Sequence, residues 1–284
     1  ADPGFDQIAL IDAKGKVTRS VEMPMLRPTL SERRKFPVFS SMEALARYAD
    51  GSMLVRGLGQ EDYFSTPEFD STAAHLFRVQ ASGIITSSVA RYTPDAFVTF
   101  QQGNKGPRRS VPLQNRTIWN VSSDGMRIGI IAAAMSGRDS ATFGVVVLSE
   151  RGDTIYSRRY PFKPERITAH SRDSALAQTN RPPQGVSPEE MRAALEKQMP
   201  VFYPPVRSAF FGRDRTLWLN LTRSSQDSLY TRLILDPAGV PIGTVAVPPN
   251  SIIVAGDRAH VWTIEREGNM VGSIARYRLV PAKR

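Results

Sequence analysis

Apolar and polar residues alternate along this chain in short runs. Each run stops at a turn that carries Gly together with Asp, Ser or Lys. A period of two marks strands with one buried face. Phe5–Asp12 turns through Lys14, Gly15 and Lys16 into Val17–Ser20, and His75–Val79 turns through Ser82 and Gly83 into Ile84–Ser87. Phe143–Leu148 turns through Gly152 and Asp153 into Thr154–Ser157, and Leu229–Leu235 turns through Asp236–Gly239 into Val240. A second hairpin type precedes three of these. Ala44–Ala49 turns at Asp50 and Gly51 into Ser52–Val55, and Thr117–Val121 turns at Asp124 and Gly125 into Met126–Ile131. Ser208–Phe211 turns at Gly212–Asp214 into Thr216–Leu221. A last copy joins Ile252–Ala255 to Ala259–Ile264 through Asp257, and a third strand, Val271–Leu279, follows. Asp-Gly supplies the positive φ that tight hairpin turns need.

Joining the two hairpin types predicts four-stranded antiparallel sheets over 40–92, 113–162 and 206–247, a half sheet at 5–21 and a three-stranded sheet at 251–280. Turn glycines 15, 83, 152 and 239 recur at intervals of 68, 69 and 87 residues. Four-stranded sheets in series, each unable to bury both faces alone, predict an all-β fold: a β-propeller of five to six blades, incomplete at the N-terminus, where the half sheet lacks its first hairpin. The whole chain, 1–284, reads as one propeller domain with a Pro-rich insertion at 163–205. Within the insertion, Ser187, Pro188 and Glu190 form a capping box that opens a short helix over 187–199. Met191, Ala194, Leu195 and Gln198/Met199 share one face of that helix. The polar stretch before it, 169–186, reads as a mobile segment. The insertion is expected to pack on a propeller face; a docking helix or lid is the alternative.

The segment Tyr203–Val206 followed by Ser208–Leu219 is an aromatic-Pro-Pro stretch that leads into a strand, a Gly/Asp turn and a Leu-Trp strand. It resembles bacterial six-bladed β-propeller proteins of the NHL-like and TolB-like type. Ala259–Ile264 with Ile274–Leu279 is similar to the closing blade of that family. The resemblance covers most of the chain, implies the fold and carries no ligand with it.

Composition narrows the chemistry. Hydrophobic residues make up 41% of the 284, enough for a core. There is no cysteine, hence no disulfide framework, thiolate metal site or thiol nucleophile. No apolar run approaches the length of a membrane-spanning helix. The opening Ala1-Asp2-Pro3-Gly4 reads as a mature or trimmed product, which points to the cell envelope, periplasmic or extracellular. The net charge of +10 gives a basic surface. It points beyond solubility to an acidic partner, whether a protein face or anionic lipid headgroups. The basic clusters are short and lack interleaved aromatics, which argues against nucleic acid.

The three histidines, His75, His170 and His260, have no second ligand at metal spacing, and no metal or cofactor is expected. The serine-hydrolase elbow, the phosphate loop and the calcium loop are missing. Asp50, Asp124, Asp214 and Asp257 occupy equivalent turns, which predicts a turn role rather than acid–base work. Trp119, Trp218 and Trp262 are expected in the packing between blades.

These observations predict a non-enzymatic binding or scaffold protein that docks on a partner protein, as a subunit of a larger membrane-associated complex. The candidate contacts are Arg33, Arg34, Lys35, Lys105, Arg108, Arg109, Arg158 and Arg159. Two alternatives stay open: a propeller hydrolase or lyase with an active site at the channel mouth, and a small-molecule or glycan sensor built on exposed tryptophans.

Overall fold

The computed structural model describes residues 7–11, 16–22, 39–48, 50–59, 74–80, 85–93, 95–100, 107–135, 141–179, 181–222, 230–247, 251–267 and 270–280. The chain forms two compact units. One is Ala1–Pro94 with Asp124–Arg127 and Leu148–Asp153; the other is Asp95–Ser123 with Ile128–Val147 and Thr154–Arg284.

In the first unit, β1 (Gln7–Ile11) and β2 (Val17–Glu22) form an antiparallel pair. β3 (Phe39–Arg47), β4 (Met53–Gly59), β5 (Ala74–Val79) and β6 (Ile85–Tyr92) then form a four-stranded antiparallel meander in chain order. Its core is Met53, Leu54, Val55, Leu76, Phe77 and Val79. The β3–β4 turn closes with Gly51 at φ +82°, and Asp50 accepts the Ser52 N–H at 2.9 Å. The Arg78 guanidinium lies 4.5 Å over the Tyr48 ring, donating through Nη2 to Asp50 at 2.8 Å and through Nε to Ser52 Oγ at 2.9 Å. Burial raises the Tyr48 hydroxyl to about 12.

The second unit opens with a short hairpin, β7 (Phe97–Thr99) and β8 (Arg108–Ser110). A four-stranded sheet follows: β9 (Ile118–Val121), β10 (Arg127–Met135), β11 (Ala141–Ser149) and β12 (Thr154–Phe162). After it come α1 (Ala169–Ala177) and α2 (Pro188–Gln198). β13 (Val206–Phe211), β14 (Leu217–Leu221), β15 (Tyr230–Leu235) and β16 (Pro241–Val247) make the next four-stranded sheet. β17 (Ser251–Gly256), β18 (His260–Glu267) and β19 (Met270–Arg278) make a three-stranded one.

Consecutive sheets of this unit stack face to face. Ile131, Phe143, Val145, Val147, Tyr156 and Tyr160 pack against Val206, Leu217, Leu219 and Leu235. On the other side of the β13–β16 sheet, Trp218 and Ile234 pack against Val261. The turns interlock as well: the Tyr160 hydroxyl donates to the Gly239 carbonyl at 2.5 Å. The fold is all-β, built from repeated antiparallel meanders, which is the blade construction of a β-propeller. The expected sheets at 40–92, 113–162, 206–247 and 251–280 match the observed ones closely.

The helix expected over 187–199 is α2. Ser187 Oγ accepts the Glu190 N–H at 3.0 Å, and Met191, Leu195 and Met199 are buried. The preceding segment, read as mobile, instead contains α1, capped by Thr168. Both helices sit on the β7–β8 hairpin through Val98, Phe100, Val111, Leu176, Met191, Leu195 and Met199, a cluster separate from the sheet cores.

Candidate docking site at the turns of the β13–β16 and β17–β19 sheets

The β13–β14 turn runs from Gly212 to Thr216, closed by the Gly212 N–H donating to the Thr216 carbonyl at 2.7 Å. Asp214 Oδ1 accepts the Thr216 hydroxyl at 2.7 Å, and Thr216 Oγ1 in turn accepts the Trp218 indole N–H at 2.9 Å. This chain of donors satisfies a fully buried indole and fixes its rotamer. A Cβ on Gly256 would stand 2.6 Å from the indole, so the β17 backbone reaches Trp218 only because that residue is glycine. The Arg213 N–H donates to the Gly256 carbonyl at 3.0 Å, and the Arg258 N–H donates to Asp214 Oδ2 at 3.0 Å. The two sheets are therefore tied at their turns by backbone as well as by core.

This tie brings basic side chains together. On β18, Val261 and Thr263 are buried on one face, so His260, Trp262 and Ile264 line the other. Trp262 is half-buried, and the Arg213 guanidinium lies 4.9 Å from its ring centroid. Arg276, the direct cross-strand neighbour of Trp262, lies 5.6 Å from the ring. Arg276 Nη2 lies 2.9 Å from His260 Nε2. The other ring nitrogen, Nδ1, lies 3.6 Å from Asp257 Oδ1. Arg278 pairs with His260 in the ladder, and Arg215 sits in the neighbouring turn at φ +64°.

The acidic groups here are engaged in holding turns. Asp257 accepts the N–H groups of Ala259 and His260 at 2.8 and 2.7 Å. Burial raises its carboxyl, but those N–H groups together with His260 and Arg276 outweigh burial and hold it below its ordinary value. In the β15–β16 turn the Val240 N–H holds Asp236 down against partial burial, helped by Ala238, Arg258 and Arg158. Asp214 serves Thr216 and Arg258. The turn role expected of these aspartates is the one the structure gives. Among the described residues Arg213 has no carboxylate partner, and its side-chain contact is the indole face.

The contacts anticipated from sequence fall elsewhere. Arg33, Arg34, Lys35 and Lys105 lie outside the described residues. Arg108 is a ladder residue of β8, and Arg109 donates to the Arg181 carbonyl at 3.0 Å. Arg158 and Arg159 are exposed on β12, where Arg158 donates to the Ala238 carbonyl at 3.0 Å and so borders the site through the Asp236 turn. Trp218 packs between sheets as expected, whereas Trp262 does not. His75 contacts Ser88 and stacks on Phe77, a structural role, and His170 is exposed on α1. Among the described residues no cluster of His, Asp and Glu could hold a metal ion, and no helix is long and apolar enough to cross a membrane.

No protein-family model matches this chain. No curated protein matches it either. Among solved structures it is similar to the β-propeller domain of the trilobed protease from Pyrococcus furiosus, described as having an open velcro topology, at 10% identity and a TM-score of 0.36 over 87% of this chain. It is also similar to a eukaryotic initiation factor at 11% identity and a TM-score of 0.33 over 96% of this chain. The chain spans 58% and 60% of the length of those two structures.

Proposed function

We propose that this chain is a non-enzymatic docking module that holds the acidic face of a partner protein at the joined turns of β13–β14 and β17–β18. The observation that carries the proposal is Arg213. Its guanidinium lies over the Trp262 ring, 4.9 Å from the centroid, and the neighbouring aspartates are engaged by backbone N–H groups or by Arg258. A guanidinium already ordered by stacking loses little freedom when it meets a carboxylate, which favours binding. Arg276 and Arg278 extend the basic surface along β19, and Arg158 and Arg159 extend it along β12. The same reading takes 1–284 as one propeller domain of the six-bladed NHL-like or TolB-like kind, working in the cell envelope as a subunit of a membrane-associated complex. The sensor alternative is less well supported, because Trp218 is enclosed and the Trp262 ring carries arginines.

The test is gentle isolation of the tagged chain from its native source, beside the double variant Arg213→Glu/Arg276→Glu. An acidic companion retained at low salt, released as ionic strength rises and held at least about tenfold less by the variant is the expected result. Unchanged retention with unchanged salt sensitivity would overturn the proposal, as would the absence of any companion.

A further inference from the structure

His260 stands where the joined turns meet the basic face. It opens β18 directly after the turn that Asp257 closes, and its imidazole is half-buried. Nε2 lies 2.9 Å from Arg276 Nη2, and Nδ1 lies 3.6 Å from Asp257 Oδ1. The ring is 5.8 Å from the Trp262 ring, which Arg276 and Arg213 approach at 5.6 and 4.9 Å. The imidazole is thus set between a carboxylate and one of the guanidinium groups of the proposed docking site.

These two contacts respond to a proton in opposite ways. A guanidinium has hydrogens to donate and no lone pair to accept with, so its contact is a hydrogen bond only while Nε2 is unprotonated. An imidazolium carries hydrogens on both nitrogens. Protonation therefore sets two cationic donors against each other on the Nε2 side, and an ion pair with Asp257 on the Nδ1 side. Among the described residues the other charged groups around the ring are Arg278, opposite His260 in the ladder, Arg213 over Trp262, Arg215 in the β13–β14 turn, and the pair Arg258 and Asp214. Arginine keeps its charge through the range in which histidine changes its own, about pH 5 to 8. Burial raises the Asp257 carboxyl, but the N–H groups of Ala259 and His260, with His260 and Arg276, hold it below its ordinary value, so it stays ionised across that range.

We infer that protonation of His260 releases Arg276 toward the partner, so that the face holds acidic groups more tightly in mild acid than in mild base. This rests on the docking reading above and names how that site is regulated. In mild base the imidazole keeps Arg276 on the sheet. In mild acid it gains charge, stays with Asp257 and gives up the guanidinium. Both changes favour a carboxylate of the partner: the face carries one more positive charge, and the Arg276 donors are no longer engaged on the ring. The partner's carboxylates remain ionised down to about pH 5.

Nuclear magnetic resonance of the full chain tests the release directly. Between about pH 8 and about pH 5.5, the Arg276 side-chain N–H and Trp262 indole N–H signals are expected to move with the His260 ring, and to stay still in His260→Gln. A hexaglutamate peptide, followed by fluorescence anisotropy at constant low salt, is expected to bind wild type at least about threefold more tightly at the lower pH. His260→Gln is expected to lose that difference. Arg276→Gln is expected to lose most of it while His260 still titrates. Arg276 and indole signals that stay still as His260 titrates, or a pH difference of equal size in wild type and His260→Gln, overturn the inference. If in that case Arg213→Glu/Arg276→Glu still binds the peptide at least about tenfold less than wild type, the docking reading stands and only its regulation is wrong. If that variant binds as wild type does, both fall.

Discussion

The turns Tyr48–Ser52 and Gly212–Thr216 share one backbone and put arginine to opposite uses. Each closes with an N–H to carbonyl bond, Tyr48 to Ser52 at 2.9 Å and Gly212 to Thr216 at 2.7 Å. Each uses an aspartate to accept the hydroxyl two residues on. In the first, Gly51 takes the positive φ, and Arg78 is tied to Asp50, Ser52 and the Tyr48 ring. In the second, Arg215 takes the positive φ, and Asp214 is claimed by Arg258 from the adjacent sheet. Arg213 is therefore not tied within its own turn and lies on Trp262. When the aspartate of a turn serves the joint between sheets, the arginine beside it becomes surface chemistry.

The largest test of this contrast lies beneath the turns. Trp218 stands two residues after Thr216, as Leu54 stands two residues after Ser52, and both are fully buried. Trp218→Ala should cost about 3–5 kcal/mol and loosen the joint that places Arg213, and Leu54→Ala should cost about 2–5 kcal/mol without altering partner binding. Urea denaturation together with a retention assay reads both. A Trp218→Ala protein that loses less than about 1 kcal/mol would show that the indole does not anchor the joint.

A smaller effect follows from the turn aspartates. The Ser52 hydroxyl, foremost among several partners, holds the Asp50 carboxyl below its ordinary value, and Asp236 and Asp257 are held down by their own turns. A carboxyl lowered in the folded state leaves the unfolded state binding more protons as pH falls. The stabilisation is thus complete above the ordinary carboxylate pKa of about 4 and is lost as pH drops through the lowered values. Denaturation midpoints measured from neutral pH into acid should fall in that window, less steeply for Asp50→Asn or Asp257→Asn. A profile that is flat below pH 4 would contradict the turn role.

The smallest test exchanges the positive-φ residues. Arg215→Gly relieves a left-handed arginine and should stabilise the chain by up to about 1 kcal/mol while weakening hold on an acidic partner. Gly51→Arg should destabilise by a similar amount and leave partner binding unchanged. A destabilised Arg215→Gly protein would mean that the contacts of Arg215 outweigh its backbone strain.

Much of the fold was legible because strand alternation and Asp-Gly turns are local signals, and they located the three four-stranded sheets and the three-stranded one. The β7–β8 hairpin escaped because three-residue strands carry no alternation. α1 escaped because Leu176 is its one buried residue, too little for an apolar stripe. The proposed docking site was not legible as a basic run. Arg213, Arg215, Arg258, Arg276 and Arg278 stand singly in the sequence, and strand register and the turn-to-turn joint collect them. One signal was present: Asp50-Gly51 and Asp124-Gly125 have Asp214-Arg215 as their counterpart, a glycine position filled by a residue that gains nothing there conformationally.

The helices have a small apolar nucleus of their own, seated on the β7–β8 hairpin and separate from the wedges of sheet. Cooperative opening can stop at such a boundary, so α1 and α2 can melt and reseal as one local event while the stacked strands keep their register. The molecule thereby carries a part whose sequence can drift, lengthen or take up a new contact without the blades having to change with it.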